Sequence, residues 1–376
     1  MDNFTFDFGS PAPPPPPARS AGFGRLFVAA LLGATVALGG LFGLEVLNDT
    51  PQEVVAVETP AIEAIPALAV MSDESSPSAV GEAVVPAVVT VEIGVMTPNG
   101  ISVQGSGSGV IIDSSGFIVT NDHVAGDADA IRVILSDGRI YEATLVGTDP
   151  VTDLAVLKIN AGGLATVESG STDGMLVGET AIAIGSPLGL DGGPSLTVGV
   201  LSAFGREVRT DATTVLYGML QTDAPITQGS SGGALVDGAG RLIGITTAVG
   251  VSEVGIEGIG FATPIEIVDR VVSDLLDDGK VAHGLLGING TTGFSDTADG
   301  GARPTGVVVE AIEPGSGADT AGLLLGDVIT SVDTIEVETM DALISALRRH
   351  GAGDIVLLEV QRDGTAVEVT ATLGTL

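Results

Sequence analysis

A serine in a glycine-rich turn is the first residue in this sequence that could do chemistry. In Gly229-Ser-Ser-Gly-Gly233, Ser231 lies directly before an apolar run. A serine that attacks a carbonyl group needs an accessible hydroxyl and nearby N–H groups that face the developing negative charge. Glycines permit both the sharp turn and the close approach of a substrate. Because Gly/Ser pairs also mark ordinary loops, the motif needs support from residues elsewhere.

The supporting residues are a histidine and an aspartate earlier in the chain. A nucleophilic serine needs a base, and the sequence contains three histidines, His123, His283 and His350. His123 follows a strand-like apolar run, and Asp153 begins another. The order His, Asp, Ser is that of chymotrypsin-like proteases. The serine motif also fits the elbow of esterase-type α/β-hydrolases, but their order is Ser, acid, His, and the later histidines lie in a separate C-terminal unit.

The segments around these residues resemble the HtrA (Deg) family of serine proteases, whose usual spellings are close to TNxHV, DLAVLKI and GNSGGPL. The three matching segments are Thr120-Asn-Asp-His-Val124, Asp153-Leu-Ala-Val-Leu-Lys-Ile159 and Gly229-Ser-Ser-Gly-Gly-Ala-Leu235. Ser230 stands where the family usually has Asn, and Ala234 where it usually has Pro. The resemblance covers roughly residues 79–376.

Together, the residues and the resemblance predict peptide-bond hydrolysis by a serine endopeptidase. His123 takes the proton of Ser231, whose oxygen attacks the scissile carbonyl, and Asp153 fixes the tautomer of His123. The backbone N–H groups of Gly229 and Ser231 are the expected donors to the oxyanion. Unfolded or damaged proteins are the substrates that the resemblance implies, in protein quality control. The family commonly forms trimers.

Further site residues follow from the resemblance alone. Ile226 and Thr227 would line the pocket for the residue before the cut, favouring small aliphatic side chains. Arg206 matches a family arginine that couples regulatory loops to the active site, or it is a solvated loop charge.

Short β-rich runs dominate residues 79–281. Alternating apolar residues in Val89–Val95 and Ile131–Leu135 are typical of half-buried strands, and Asp137-Gly138 is a hairpin turn. The pattern predicts an all-β barrel or sandwich. The resemblance adds two six-stranded antiparallel barrels, the first carrying the histidine and aspartate and the second the serine.

Two segments of this region receive specific predictions. The run Gly105-Ser-Gly-Ser-Gly109 lacks the Gly-Lys-Ser/Thr ending of a phosphate-binding loop, so we interpret it as a turn before a strand. Apolar spacing predicts a helix within Thr263–Gly279, with Pro264 as its first residue and Gly279 as its stop, capping the second barrel.

Residues 282–376 form an α+β pattern with the size of a PDZ domain. The segment Gly315–Val328 resembles the PDZ spelling GSPAxxAGLxxGDV. By that resemblance, the loop whose N–H groups hold the terminal carboxylate of a peptide consists of Leu285, Leu286, Gly287 and Ile288. PDZ domains bind C-terminal peptides by adding a strand to the edge of a sheet, and such binding would regulate the protease. The two histidines of this part are expected at the surface or in packing.

The sequence before residue 79 predicts a membrane anchor. Residues 1–25 are a Pro-rich head expected to be disordered and cytoplasmic, and residues 45–78 are an acidic flexible linker. Residues 26–44 carry no charge and can span a bilayer, and the preceding arginines keep the N-terminus in the cytoplasm. The catalytic and PDZ domains would then lie outside the cytoplasm. A cleaved signal peptide is the alternative, and we favour the anchor because the leader is long and no clear cleavage site follows.

Composition excludes several classes of function. The formal net charge is −34, from 14 basic and 48 acidic residues, which argues against nucleic acid as a partner. There is no cysteine, so disulfides and thiolate metal sites are excluded. We expect no metal and no cofactor. The rival function is a membrane-tethered peptide binder or chaperone whose protease fold is inactive, and an intact triad argues against it.

Overall fold

The computed structural model describes residues 76–98, 100–187, 193–210, 214–247, 258–297 and 300–376. All of them belong to one compact unit, Leu68–Leu376. The predicted head, the predicted anchor and most of the predicted linker lie outside the described residues. The linker prediction ended too late, because the first described helix, α1, begins at Pro77 with Ser76 as its N-cap. Within the described ranges, no helix is both long and apolar enough to cross a bilayer.

The first part of the described chain forms a closed antiparallel barrel of six strands. Helix α1 (Pro77–Val84) and a 3₁₀ turn (Val85–Ala87) precede it. The strands are β1 (Val88–Thr97), β2 (Gly100–Asp113), β3 (Phe117–Thr120), β4 (Ala130–Ile134), β5 (Ile140–Asp149) and β6 (Leu154–Ile159). Their order around the barrel is β1-β2-β3-β6-β5-β4. A one-turn helix, α2 (Asp122–Ala125), follows β3.

A second closed barrel follows, also antiparallel and six-stranded. Its strands are β7 (Thr180–Gly185), β8 (Ser195–Arg209), β9 (Val215–Thr222), β10 (Ala234–Asp237), β11 (Leu242–Thr247) and β12 (Gly260–Pro264). Their order is β10-β11-β12-β9-β8-β7. The described residues therefore confirm the mainly β architecture with two barrels, and the hairpin predicted at Asp137-Gly138 joins β4 to β5.

Apolar side chains that alternate along a strand pack in two places. Some fill the interior of their own barrel, and others pack between the two barrels. In β1, Val89 and Val91 belong to the core of the first barrel, whereas Val88 belongs to a cluster that includes residues of both barrels. The shared cluster includes Val156 of β6 and Ile184 of β7. Because successive side chains of a strand point to opposite faces, one strand can serve both cores.

The predicted helix is present as α3 (Ile265–Asp278), but it begins one residue later than predicted. Pro264 is the N-cap in extended backbone rather than the first helical residue, while Gly279 ends the helix with φ 68° as predicted. The helix contacts β5 and β6 of the first barrel as well as β11 and β12 of the second. It therefore packs against the second barrel, as predicted, and also against the first, so its apolar face has two partners.

The C-terminal part has its own sheet and core, as predicted for an α+β unit. Its strands are β13 (Gly284–Leu285), β14 (Ile288–Asp296), β15 (Ala302–Ile312), β16 (Val328–Val332), β17 (Ile335–Glu336), β18 (Ile355–Arg362), β19 (Thr365–Thr372) and β20 (Gly374–Thr375). The main sheet has the order β14-β15-β16-β18-β19, with β17 on β16. The helices are α4 (Gly317–Ala321) and α5 (Met340–Leu347).

The glycine run at residues 105–109 is not a turn before a strand, as the sequence suggested, but the middle of β2. It pairs with β1, with Gly105 opposite Ile93 and Gly109 opposite Val89. A Cβ atom at Gly107 would lie 2.7 Å from Val124 Cγ1 and 3.2 Å from the Ser231 carbonyl oxygen. Glycine is therefore required here because other chain segments approach the strand closely.

A buried histidine connects the C-terminal part of the chain to the first barrel. His283 and Asp149 are 5% and 4% exposed, and His283 Nε2 lies 2.9 Å from both carboxylate oxygens of Asp149. Arg270 Nη2 of α3 lies 2.9 Å from His283 Nδ1. Because a guanidinium can only donate, Nδ1 is the acceptor and Nε2 carries the proton donated to Asp149. This matches the predicted packing role of His283.

The other C-terminal histidine lies in a more open position. His350 Nε2 is 3.3 Å from Asp333 Oδ2, and the two side chains are 20% and 39% exposed. Neither His283 nor His350 is part of the predicted catalytic group, as the sequence indicated.

Candidate active site

His123 lies in the short connection between β3 and β4. It is the second residue of α2, the helix that directly follows the buried residues Thr120 and Asn121. The Asn121 side-chain amide donates to the Asp153 carbonyl oxygen at 2.8 Å and to Thr247 Oγ1 of β11 at 3.2 Å. This amide joins the histidine segment to the aspartate segment and to the second barrel, a role that the sequence reasoning missed.

The imidazole of His123 is held by the carboxylate of Asp153. Nδ1 lies 2.9 Å from Oδ1 and 2.8 Å from Oδ2, and the His123 backbone N–H also donates to Oδ1 at 3.0 Å. Asp153 is 7% exposed and has φ 57°, a left-handed conformation that is uncommon for a non-glycine residue. With Nδ1–H donated to the carboxylate, Nε2 carries the lone pair that a general base needs.

The surroundings of His123 raise its pKa. Burial lowers the pKa, but the hydrogen bond and negative charge of Asp153, together with the charge of Asp122, outweigh it and give a net rise above 6.5. The carboxylates therefore stabilise the imidazolium, which is the form that exists after proton abstraction. The side chain of His123 remains 48% exposed, so a substrate can reach it.

The Ser231 turn lies between β9 and β10 and is shaped by two glycines in left-handed backbone. Gly229 has φ 90° and Gly232 has φ 84°. Gly232 N–H donates to the Thr246 carbonyl oxygen at 2.8 Å, and Thr246 Oγ1 donates to the Ser230 carbonyl oxygen at 2.7 Å. Ser231 is 5% exposed. The turn is thus fastened to β11 by both the backbone and the side chain of one threonine.

The histidine segment and the serine turn pack together across the two barrels. Ser231 and Val124, the neighbour of His123, both approach the position where Gly107 would carry a Cβ atom. A Cβ atom at Gly232 would lie 2.4 Å from Thr120 Oγ1. The residues predicted for catalysis are therefore brought to one place, with His123 and Asp153 from the first barrel and Ser231 from the second.

The predicted pocket residues lie just before the serine turn. Ile226 is partly buried against the core of the second barrel and contacts the position of a Gly260 Cβ atom at 2.6 Å. Thr227 is exposed, and its carbonyl oxygen accepts the Ser230 N–H at 2.9 Å. Their location is compatible with contact to a substrate beside Ser231.

Arg206 lies on β8. Its Nε donates to Gln221 Oε1 of β9 at 2.9 Å, and the residue is exposed. Strands β8 and β9 both contact α5 of the C-terminal unit. A Cβ atom at Gly218 would lie 3.5 Å from Ser345 Cβ of that helix. Arg206 therefore belongs to a hairpin of the second barrel that also contacts the C-terminal part of the chain.

The predicted carboxylate-binding loop joins β13 to β14. Leu286 is 1% exposed, and its carbonyl oxygen accepts the Ala318 N–H at 2.9 Å. Gly287 has φ 82°, and a Cβ atom there would lie 2.3 Å from Ser316 Cβ, so only glycine fits. Leu285 ends β13 and Ile288 begins β14. The loop is thus fixed against α4 and lies at the start of the edge strand.

No group of three or more His, Cys, Asp or Glu residues suited to a metal ion occurs within the part of the chain that the structure describes. The chemistry that the site supports is proton transfer between side chains together with nucleophilic attack by a hydroxyl.

Two family models match this chain. Residues 107–245 match the trypsin-like peptidase domain, and residues 284–373 match the PDZ domain. Serine endoprotease DegS of Escherichia coli (strain K12) is 41% identical over 285 residues, which cover 73% of this chain and 78% of DegS. Periplasmic serine endoprotease DegP of the same strain is 40% identical over 271 residues, covering 71% of this chain and 56% of DegP.

Solved structures give the same result. The HtrA-type protease AlgW with a tripeptide has a TM-score of 0.61 and 36% identity, covering 80% of this chain and 97% of that chain. The serine endoprotease from Yersinia pestis has a TM-score of 0.54 and 34% identity, covering 80% of this chain and 98% of that chain. With a trypsin-like domain, one PDZ domain and relatives named DegS and DegP, this chain belongs to the HtrA/Deg family of serine endoproteases.

Proposed function

We propose that His123, Asp153 and Ser231 form the catalytic triad of this endopeptidase. The contact of His123 Nδ1 with the Asp153 carboxylate at 2.8 to 2.9 Å, beside the turn that carries Ser231, is the observation that supports the assignment. His123 Nε2 accepts the proton of the Ser231 hydroxyl as its oxygen attacks the substrate carbonyl. The same proton then passes to the leaving amine, and water repeats the sequence on the acyl-enzyme.

The N–H groups of Gly229 and Ser231 are the proposed donors to the oxyanion of the tetrahedral intermediate. Donors that are already oriented stabilise charge as it develops, because little reorganisation is needed at the moment of reaction. Removing one such donor typically costs about 3 to 4 kcal/mol of transition-state stabilisation. Ile226 and Thr227, just before this turn, are the proposed walls of the pocket for a small aliphatic side chain.

The first test is the change Ser231→Ala with a fluorophosphonate probe and casein as substrate. We expect both labelling and cleavage to disappear while the thermal unfolding midpoint stays close to that of the wild type. Ser115→Ala, the same change on the exposed β2–β3 hairpin, is the matched control and should keep both activities. Labelling that survives in Ser231→Ala would refute the triad. A wild type that is folded but never labelled would favour the peptide-binding alternative.

We further propose that the enzyme is anchored in the cell membrane with its catalytic and PDZ domains outside the cytoplasm. The uncharged stretch at residues 26–44, preceded by arginines, supports the anchor. The relatives DegP and DegQ are named periplasmic. Unfolded or damaged proteins are the proposed substrates. Membrane fractionation of the full chain, with protease protection of the C-terminal part in intact cells, tests this orientation.

Peptide binding at the PDZ domain is the proposed regulator. The loop at Leu285–Ile288 would hold the carboxylate of a C-terminal peptide, and the peptide would extend along β14. Helix α5 contacts the β8–β9 hairpin that carries Arg206, which gives a path from the peptide site toward the serine turn. A homo-trimer is the proposed assembly, to be checked by light scattering of the detergent-solubilised full chain.

A further inference from the structure

One polar residue of the glycine run, Ser108, has contacts that the roles of His123, Asp153 and Ser231 do not explain. Ser108 lies in the middle of β2 and is fully buried, with 0% exposure. A buried hydroxyl is costly unless it is hydrogen-bonded, so its partners indicate why it is there. Its hydroxyl and its backbone N–H both bond residues that follow strands of the second barrel or lie in the serine turn.

Ser108 contacts the serine turn twice. Its Oγ lies 2.8 Å from the Gly229 carbonyl oxygen, and its backbone N–H donates to the Ser231 carbonyl oxygen at 2.7 Å. The Ser186 N–H donates to Ser108 Oγ at 2.8 Å. Because a hydroxyl has one proton and the Ser186 contact uses a lone pair, the Ser108 proton is directed at Gly229.

We propose that Ser108 is a positioning residue that fixes the oxyanion-binding turn through the Gly229 carbonyl group. The inference rests on the proposed function, in which Gly229 and Ser231 supply the N–H donors. Their carbonyl oxygens are the two groups that Ser108 holds, one through its side chain and one through its backbone. The two contacts lie on either side of Ser230, so one residue of β2 restrains both ends of the donor segment.

The side-chain contact matters because Gly229 is free to adopt other conformations. A glycine at φ 90° is not confined to that value by a side chain, so the peptides on either side of it can rotate unless they are bonded. The Ser230 carbonyl oxygen is held by Thr246 instead. The N–H of the peptide that carries the Gly229 carbonyl, that of Ser230, donates to the Thr227 carbonyl oxygen at 2.9 Å. Loss of the Ser108 hydroxyl would leave the buried Gly229 carbonyl without this donor, so the peptide would be held at one end only and could tilt about the remaining bond.

A neighbouring threonine separates this role from simple support of the barrel contact. Thr90 of β1 is the cross-strand partner of Ser108, is 6% exposed, and its Oγ1 lies 2.5 Å from Ser186 Oγ. Both hydroxyls therefore link the first barrel to Ser186 of the second. Ser108 alone of the two also bonds the serine turn, so Thr90→Val is the matched control for Ser108→Ala.

The experiment compares the two variants in the full chain with a peptide substrate and a peptide boronate inhibitor. For Ser108→Ala we expect kcat to fall by about tenfold to a hundredfold with KM little changed, because the contact acts on the transition state. The affinity for the boronate, which forms a tetrahedral adduct, should fall in parallel. The pH midpoint of kcat/KM should stay unchanged because His123 and Asp153 are intact. Thr90→Val should lower the thermal midpoint similarly but keep kcat within about twofold.

Two results would overturn the inference. One is equal kcat for Ser108→Ala and Thr90→Val at equal stability, and the other is a loss of kcat without loss of boronate affinity. If Ser108→Ala does not fold, Ser108→Cys takes its place, since a thiol is a weaker donor and the same fall in kcat is expected. Wild-type kcat in folded Ser108→Cys would also refute it. Failure of the triad itself is recognised separately, by a wild type that the fluorophosphonate does not label.

Discussion

At the scale of single residues, the electrostatic surroundings of His123, the proposed general base, give an expected pH range of activity. Two carboxylates, those of Asp153 and Asp122, raise the His123 pKa against the effect of burial. The charged imidazole is therefore favoured in the folded protein below the raised pKa and is lost as the pH increases through it. Since the base of the proposed triad must be neutral to accept a proton, we expect activity to increase with pH through a midpoint above 6.5.

The change Asp122→Asn separates the second carboxylate from the first. Removing this charge takes away one of the contributions that raise the His123 pKa, so the midpoint of kcat/KM should move to lower pH. Hydrolysis of a fluorogenic peptide, measured on both sides of pH 6.5, gives the midpoint. Asp127→Asn, a change at the next carboxylate along the chain, is the control. A midpoint that stays in place or moves upward in Asp122→Asn would contradict this explanation.

At the scale of structural elements, β5 and the segment before β13 meet at a buried group of ionisable side chains, Asp149, His283 and Arg270. Asp149 at the end of β5 is near Asp153, and its carboxylate also accepts the Thr152 hydroxyl at 2.5 Å. Burial raises the Asp149 pKa, but hydrogen bonds from His283 and Thr152 outweigh it, and the pKa lies below 3.8. The ionised carboxylate therefore stabilises the fold above pH 3.8, and this contribution is lost as the pH falls through the lowered pKa.

We expect His283→Ala to destabilise the folded protein by about 3 kcal/mol, because it leaves Asp149 and Arg270 buried without their shared partner. Without the hydrogen bond from His283, burial raises the Asp149 pKa, so acid unfolding should begin at a higher pH. Urea unfolding at neutral pH and an acid titration followed by circular dichroism measure the two effects. His350→Ala, at the more exposed pair with Asp333, should cost less than about 1 kcal/mol. Equal losses in the two variants would show that burial of the pair is unimportant.

Some structural elements leave a local pattern in the sequence and others do not. Alternating apolar residues predicted strands such as β1 and β4 because a strand with two different faces leaves that pattern. The glycines at residues 105–109 predict a turn, but in the structure they make room for segments that approach β2 closely. The two kinds of glycine run look the same in sequence. The roles of Asn121 and Ser108 depend on contacts with the second barrel, and a local pattern does not contain them. A polar residue beside an apolar strand run, as in Gly107-Ser-Gly-Val-Ile, was the available signal.

At the scale of the whole molecule, the catalytic barrels and the PDZ domain share contacts on two sides. His283 bonds Asp149 near the proposed catalytic aspartate, Asp153, and α5 lies against the β8–β9 hairpin. Arg349, just after α5, bonds Asp173 at 2.8 Å. A peptide that changes the position of α5 would therefore act on elements of the second barrel. A coupling free energy between the peptide site and the serine turn would be the same in both directions, whichever contacts carry it.

Reciprocity gives the last prediction. If an apolar C-terminal peptide favours the state in which the serine turn binds a tetrahedral group, a reversible peptide boronate must tighten peptide binding by the same factor by which the peptide tightens boronate binding. Fluorescence titrations of the full chain, with each ligand measured in the presence and absence of the other, give both factors. A C-terminally amidated peptide is the control, because the Leu285–Ile288 loop would lose the carboxylate that its N–H groups hold. Bound peptide that leaves boronate affinity unchanged, or an amidated peptide that couples as strongly as the acid, would show that the PDZ domain does not regulate the active site in this way.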